Sequence, residues 1–270
     1  MTQFIDSHAH LTDRQFDADR DAAIGRAREA GVTRILCAGT DLETSLAALR
    51  LAEAHPGVYA AVGWHPNDAD AAPPDVRPLL RPLLDHPKTI AVGEIGMDYY
   101  RLPGGPRGSS PERERCIARQ REIFRQQLEL AAQHSLPCVI HQRDCFAPLW
   151  TEFAPFAGQV RAQFHCFIGT PSELEQIIAA GSYVSFTGIL TYPKAEGVRK
   201  ALTAAPPGRF LLETDAPYLP PQAHRGSRCE PAHLIETARL AAQLRGLSLE
   251  TLDRQTEAAA RTLFPRLAAE

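Results

Sequence analysis

His8 and His10 stand one residue apart at the end of a short apolar run that begins at Phe4. Alternate side chains of a β-strand share a face, so both imidazoles can be aimed at one point. Two neutral imidazoles so placed make half of a transition-metal site. Glu94, His141, His165 and Asp215 each close or follow another strand-like run. Any one of them reads equally well as a core histidine or as a carboxylate paired with arginine, but that explanation would have to hold six times at six strand ends. Four histidines and two carboxylates exceed one tetrahedral ion and suit two. A carboxylate such as Glu94 can bridge divalent ions about 3.5 to 4 Å apart, the separation used by two-metal hydrolases. Asp215 can both ligate and accept the proton of an attacking water.

These six residues need a scaffold that brings strand ends together. Strand-like runs at 4–10, 33–38, 58–63, 89–93, 137–141, 160–165, 183–187 and 209–214 alternate with helical ones. The region 13–30 has helical spacing and ends at Gly31, and the form Thr40-Asp41-Leu42-Glu43 predicts a capping box for a helix running to His55. The proline-rich 73–87 interrupts a short helical segment, and 101–115 reads as a long loop rich in Gly, Pro and Arg. Ser110-Pro111 is a fitting N-cap and first helical residue for a helix ending at His134. Thr170-Pro171-Ser172-Glu173 opens another helix that closes at Gly181, and further helices are predicted around 147–156, 199–205, 234–241 and 249–264. Eight such alternations predict an α/β fold of the (β/α)8 TIM-barrel type with the metal site at the C-terminal mouth of the strands, as one domain over residues 1–270. The alternative, an open doubly wound sheet, supplies no reason for ligands at so many strand ends.

The composition narrows the function. A formal charge of −3 and pI near 6.4 exclude a protein that coats nucleic acid through bulk positive charge. Phosphate recognition must then be local. Lys88, Lys194 and Lys200 are the only lysines, so positive charge sits on arginine, whose planar fork suits phosphate; the plentiful Ala and Pro mark the same skew as a compositional bias. Six cysteines without a Cys-x-x-Cys pair predict buried free thiols in a reducing compartment. No basic and apolar leader opens the chain and no long apolar span interrupts it, so the expectation is a soluble, cytoplasmic protein without a membrane or an obligate protein partner.

Asp6-Ser7-His8-Ala9-His10-Leu11, Gly63-Trp64-His65-Pro66, Gly93-Glu94-Ile95-Gly96-Met97-Asp98-Tyr99-Tyr100, Ile140-His141-Gln142-Arg143-Asp144, His165-Cys166-Phe167, Leu212-Glu213-Thr214-Asp215-Ala216-Pro217-Tyr218 and His224-Arg225-Gly226 resemble, in order, the motifs of TatD-type metal-dependent deoxyribonucleases. The resemblance spans nearly the whole chain. It implies a barrel of the wider amidohydrolase type that hydrolyses phosphodiesters, often as a 3′ to 5′ exonuclease on single-stranded DNA. It also implies two divalent ions (Mg, Mn or Zn) held by the residues matching His8, His10, Glu94, His141, His165 and Asp215. Relatives that bridge their metals with a carboxylated lysine fit less well, since no lysine lies near Glu94. Two departures stand out. Cys229 replaces the usual Asn before Glu-Pro, and Ala259-Ala260 replaces Asn-Ala before Leu-Phe, which bears on loop anchoring and substrate contacts.

The expected reaction is attack of an activated water on phosphorus, with Glu94 and Asp215 as the catalytic carboxylates. His65 is a candidate donor to a phosphate oxygen, and Arg143 and Arg225 are candidate phosphate clamps; a turn histidine and structural ion pairs are the alternatives. Asp6 and Glu213 share strand parity with His8 and Asp215 and are expected to support the ligands by hydrogen bonds. Arg101, Arg107, Arg113 and Arg115 could guide a DNA strand across the mouth. Two rival functions remain at this stage, a small-molecule amidohydrolase or lactonase on the same barrel and metal site, and a nucleic-acid-binding protein without catalysis.

Overall fold

The computed structural model describes residues 2–105 and 108–267. Its apolar runs form eight parallel strands: β1 (Phe4–Ala9), β2 (Val32–Ala38), β3 (Val58–Val62), β4 (Thr89–Asp98), β5 (Cys138–Arg143), β6 (Ala162–Phe164), β7 (Tyr183–Phe186) and β8 (Phe210–Leu212). The strands pair in chain order from β1 to β8. At the seam, the Asp215 N–H donates to His8 O (2.9 Å) and Ser7 Oγ donates to Leu212 O (3.1 Å). Sequential order and a bridged seam make a nearly closed (β/α)8 barrel and set aside the doubly wound sheet, whose strand order reverses.

Around the strands lie α1 (Arg20–Glu29), α2 (Leu42–Ala54), α3 (Arg77–Leu84), α4 (Pro111–His134), α5 (Phe146–Phe153), α6 (Pro171–Ala179), α7 (Glu196–Ala204), α8 (Leu234–Arg245) and α9 (Leu249–Leu263). One apolar layer fills the space between strands and helices, with Phe4, Ile35, Leu80, Phe124, Phe153 and Phe186 buried in it. Each such side chain contributes about 1.5–3 kcal/mol of hydrophobic free energy. A second cluster packs Leu263 at the end of α9 and the following Phe264 with Tyr59, Ile90 and Tyr183, near the strands' N-terminal ends. Ala259 and Ala260 are buried in that same cluster, so this departure from the family pattern lies at the base of the barrel.

Four local expectations are corrected. The region 13–30 splits, because the Asp13 carboxylate accepts the Gln15 N–H and starts a 3-10 turn at Arg14–Phe16 before α1 begins. The α2 cap is Asp41, whose carboxylate accepts the Thr44 N–H (2.7 Å) while Thr44 Oγ1 accepts from the Asp41 N–H (3.0 Å), one residue later than the Thr40–Glu43 reading. By contrast, the Thr170–Glu173 box forms as written. The loop read as 101–115 ends at Ser110, where the expected cap forms: the Ser110 Oγ accepts the Arg113 N–H and α4 starts at Pro111.

The fourth correction concerns the site directly. β4 does not stop at Gly93; it pairs with β5 from Ile95↔Ile140 to Asp98↔Arg143. Glu94 and His141 are therefore within strands, not at their ends. Gly96 makes the continuation possible, since its φ of 137° is in the range where side chains are disfavoured and a Cβ there would collide with the His141 carbonyl.

All six cysteines are free, and five are buried. Among the described residues no helix is long and apolar enough to cross a membrane.

Candidate metal centre

β1 delivers His8, and His10 is the first residue after its end. On the other side of the seam, the chain leaving β8 turns at Asp215, whose φ of 58° is left-handed, and the Ala216 carbonyl accepts the His10 N–H (2.6 Å). Aspartate is among the few non-glycine residues that enter this region readily. The turn sets Asp215 Oδ1 3.5 Å from His8 Nε2 and 3.4 Å from His10 Nε2. Cys166 has a similar left-handed φ of 48°, immediately after His165.

The six residues gather around Glu94 in two groups. Its Oε2 lies 3.3 Å from both His8 Nε2 and His10 Nε2, and those two nitrogens are 3.1 Å apart. Its Oε1 lies 2.9 Å from His141 Nδ1 and 2.9 Å from His165 Nε2, which are themselves 3.1 Å apart. Donors about 2.0–2.2 Å from a shared ion sit roughly 3 Å apart at right angles and about 3.5 Å apart in a tetrahedron. The observed spacings fall in that interval, and unprotonated ring nitrogens aimed at each other repel unless a cation or proton lies between them. The donor atoms of His8, His10 and Glu94 lie close enough together to hold one ion, and this chain binds divalent metal.

A carboxylate behind His141 fixes which of its nitrogens faces inward. Asp98 Oδ2 lies 3.3 Å from His141 Nε2, so a proton held there leaves Nδ1 with its lone pair toward Glu94. Glu213 Oε1 lies 3.4 Å from His165 Nδ1 without a hydrogen bond between them and accepts the Cys166 N–H (2.7 Å), while its other oxygen accepts from Gln163 Nε2 and Ser185 Oγ, each at 2.7 Å. Asp6 supports the site through backbone, accepting the His8 N–H (3.4 Å). It accepts the Thr214 N–H (2.9 Å) and Oγ–H (2.5 Å), which holds the turn before Asp215 and touches no ligand imidazole. Asp98 escaped the sequence reading, although it shares strand parity with Glu94 once β4 is extended to its true length.

Electrostatics follow from burying so many ionisable groups together. Burial alone would raise Glu94, but His65, His165, His8 and His10 around it hold it well below the usual carboxylate range. Asp215 is likewise lowered against its burial by His10 and its neighbours. Burial works against protonating His10, yet Asp215 and Glu94 raise it to about 10, and His141 and His165 move up for the same kind of reason. In the metal-free protein, protons on these rings take the place of the cations the carboxylates call for.

The predicted substrate residues lie at three different depths. His65 is buried with Nε2 3.3 Å from Glu94 Oε1, and its Nδ1 accepts the Asn67 N–H (3.1 Å), which puts the ring proton on Nε2. Burial lowers its pKa, so it is a neutral donor. Arg143, at the end of β5, stacks on the Tyr100 ring at 3.7 Å and makes no ion pair among the described residues, which removes the salt-bridge alternative. Arg225 is farther out, over the Tyr192 ring at 4.6 Å with its Nη1 donating to Tyr192 Oη (2.9 Å). Of the loop arginines, Arg113 is turned inward and donates to Gly105 O (2.7 Å) and Tyr99 O (3.2 Å), so it braces the loop and is not free to guide DNA. Arg101 is exposed, Arg115 is exposed on α4, and Arg107 lies outside the described residues.

Anchoring of the β8 loop does not depend on an Asn at position 229. The Cys229 N–H donates to Pro217 O (3.0 Å), and its thiol is buried. On either side, Arg228 pairs with Asp19 (2.7 Å) and Glu230 (2.7 Å), and Arg26 pairs with the same two carboxylates (2.8 and 2.7 Å).

A parallel barrel whose mouth gathers five histidines around a shared carboxylate defines a metal-dependent hydrolase. The model of the family described as TatD related DNase matches residues 5–265, and the chain belongs to that family. It is 34% identical over 264 residues to the uncharacterized metal-dependent hydrolase YabD of Bacillus subtilis (strain 168), covering 96% of this chain and 98% of that one. It is 34% identical to the 3′-5′ ssDNA/RNA exonuclease TatD of Klebsiella pneumoniae (strain 342), with 96% and 97% covered, and 37% identical to the TatD of Edwardsiella piscicida, with 96% and 98% covered. Among solved structures, YJJV, a TatD homologue from Escherichia coli K12, superposes with a TM-score of 0.87 at 28% identity over 97% of this chain and 98% of that chain. A TatD family hydrolase from Entamoeba histolytica, 21% identical with 97% and 98% covered and a TM-score of 0.81, shares the fold.

Proposed function

We propose that this chain is a two-metal nuclease that shortens single-stranded DNA from its 3′ end, with His8, His10, Glu94, His141, His165 and Asp215 holding the ions. The observation that carries this reading is the division of Glu94, whose two oxygens face separate nitrogen groups. Relatives named as 3′-5′ ssDNA/RNA exonucleases, at 34–37% identity over 96% of the chain, support the substrate and polarity. Two divalent ions bound here would lower the pKa of an attacking water and neutralise charge on the phosphoryl oxygens.

The residues divide the remaining tasks. Asp215 accepts the proton of the water as it attacks phosphorus. Glu94 stays ionised and keeps one oxygen in each group. Asp98 holds His141 in orientation, and Glu213 holds the backbone after His165 through the Cys166 N–H. His65 offers its Nε2 proton to a phosphoryl oxygen, and Arg143 and Arg225 receive flanking phosphates at the rim. The 3′ oxygen of the preceding nucleotide departs and a 5′ mononucleotide is released. Histidine donors suit Zn²⁺ or Mn²⁺, whereas carboxylates with a phosphate substrate suit Mg²⁺, so the donor set accommodates all three.

A substrate panel tests the reading. Chelator-stripped protein resupplied with Mg²⁺, Mn²⁺ or Zn²⁺ is offered single-stranded and duplex DNA, RNA, lactones and cyclic amides. Release of mononucleotides from the 3′ ends of single strands is the expected result. Turnover of a lactone or amide with every oligonucleotide left intact would replace the nuclease by a small-molecule hydrolase.

A further inference from the structure

Among the described residues, five large apolar or aromatic side chains are exposed: Leu46, Leu79, Tyr100, Ile168 and Tyr218. Leu46 and Leu79 lie on the outer helices α2 and α3. The other three follow the C-terminal ends of β4, β6 and β8, so exposed apolar surface is concentrated at the barrel mouth. Exposed aromatic rings held at the edge of a polar site suit a ligand with π-faces.

The two tyrosines are held rings. Tyr218 is 49% exposed, its ring lies edge-on to His10 with centroids 5.8 Å apart, and its hydroxyl donates to Asp13 Oδ2 (3.1 Å). Tyr100 is 45% exposed, its N–H donates to Asp98 Oδ1 (2.9 Å), and one face is backed by the Arg143 guanidinium at 3.7 Å. β4 and β8 are four strands apart in an eight-stranded order, which places Tyr100 and Tyr218 on opposite sides of the mouth with the Glu94 cluster between them. Asp98 and His10 tie each ring to that cluster through a single residue.

Resting on the nuclease reading, we infer that Tyr100 and Tyr218 are stacking platforms for the nucleobases on the two sides of the scissile phosphodiester. Each base offers a π-face whatever its identity, so the platforms accept any sequence. They require bases already free of their neighbours, which a single strand provides and a duplex does not. Arg143 behind Tyr100 adds a cation–π contact to the stack.

The test pairs variants with altered substrates. Tyr100→Ala, Tyr218→Ala and the corresponding Phe variants are compared on 5′-labelled single-stranded oligonucleotides, either ordinary or abasic at the last two 3′ positions. Each Ala variant is expected to raise KM roughly 5- to 150-fold on the ordinary strand, the span that base–aromatic stacking covers, with kcat little changed and Phe restoring it. On the abasic strand, wild type should already show the raised KM and the Ala changes should add nothing. Equal losses on both strands, or no loss on either, would overturn the platforms while leaving the nuclease in place. If wild type cleaves no oligonucleotide at all, the nuclease reading fails and the platforms fail with it.

Discussion

Oε1 of Glu94 lies 2.9 Å from Nδ1 of His141, on the opposite oxygen of the carboxylate from the one that meets the β1 histidines. A glutamine at this position keeps the shape but loses the charge and turns one of the two oxygens into a nitrogen that cannot ligate. Glu94→Gln should therefore lower the metal content of purified protein and reduce cleavage by at least about a thousandfold. Elemental analysis beside an oligonucleotide assay checks both, and normal turnover would remove Glu94 from its assigned place.

Asp215 is expected to behave differently. It reaches only the His8 and His10 side of the cluster, and its proposed task is to take a proton. Asp215→Asn should lower kcat by roughly 10²- to 10⁴-fold while most of the metal is retained. A variant that loses metal and activity in parallel would show Asp215 to be chiefly a ligand.

Asp98 holds His141 from behind at 3.3 Å. Removing its charge with Asp98→Asn should weaken metal binding about 10- to 100-fold with the fold intact. Competition against a chromophoric chelator measures this, and unchanged affinity would mean that His141 is oriented without it.

Protons and metal compete for the same nitrogens. In the metal-free protein burial opposes protonation of His10, but Asp215 and Glu94 raise it from 6.5 to about 10. A group raised on folding stabilises fully below its unfolded value and loses that contribution as pH climbs through the folded one. The metal-free protein should thus lose stability from about pH 6.5 toward 10, the span set by these two values. Metal must expel the same protons, so its apparent affinity should rise across that window. Melting curves of stripped and metal-loaded protein should diverge with increasing pH; a constant or narrowing gap contradicts the coupling.

Thiol chemistry offers a check on the interior. Five of the six cysteines are buried, and Cys166, the partly exposed one, is pushed up to about 12 mainly by burial. A thiol reagent should find at most one slowly reacting group in native protein and six after unfolding. Rapid labelling of several thiols in native protein would contradict this packing.

Much of the barrel and of the gathering of these residues was legible in the sequence because most of them border short, near-continuous apolar runs of the kind a parallel strand buried on both faces requires, and α2, α4, α6 and α9 carry side-chain caps. The extent of β4 was not. Gly93 and Gly96 break the apolar run and look like punctuation, whereas Gly96 is there because β5 passes too close for a side chain. That one boundary concealed Asp98. Arg113 shows a second kind of limit, since its inward turn depends on where the Gly105 and Tyr99 carbonyls come to lie in space. The tautomer of His65 likewise follows from the Asn67 N–H against its Nδ1, a contact made by the local turn.

The most direct measurement is cleavage of a 5′-labelled single-stranded oligodeoxynucleotide by chelator-stripped protein, with and without Mg²⁺, Mn²⁺ or Zn²⁺, beside Glu94→Gln. A ladder of products shortening from the 3′ end, dependent on added metal and absent in the variant, is the predicted result. Intact oligonucleotide with every ion, in protein shown to hold two metals per chain, would contradict the nuclease.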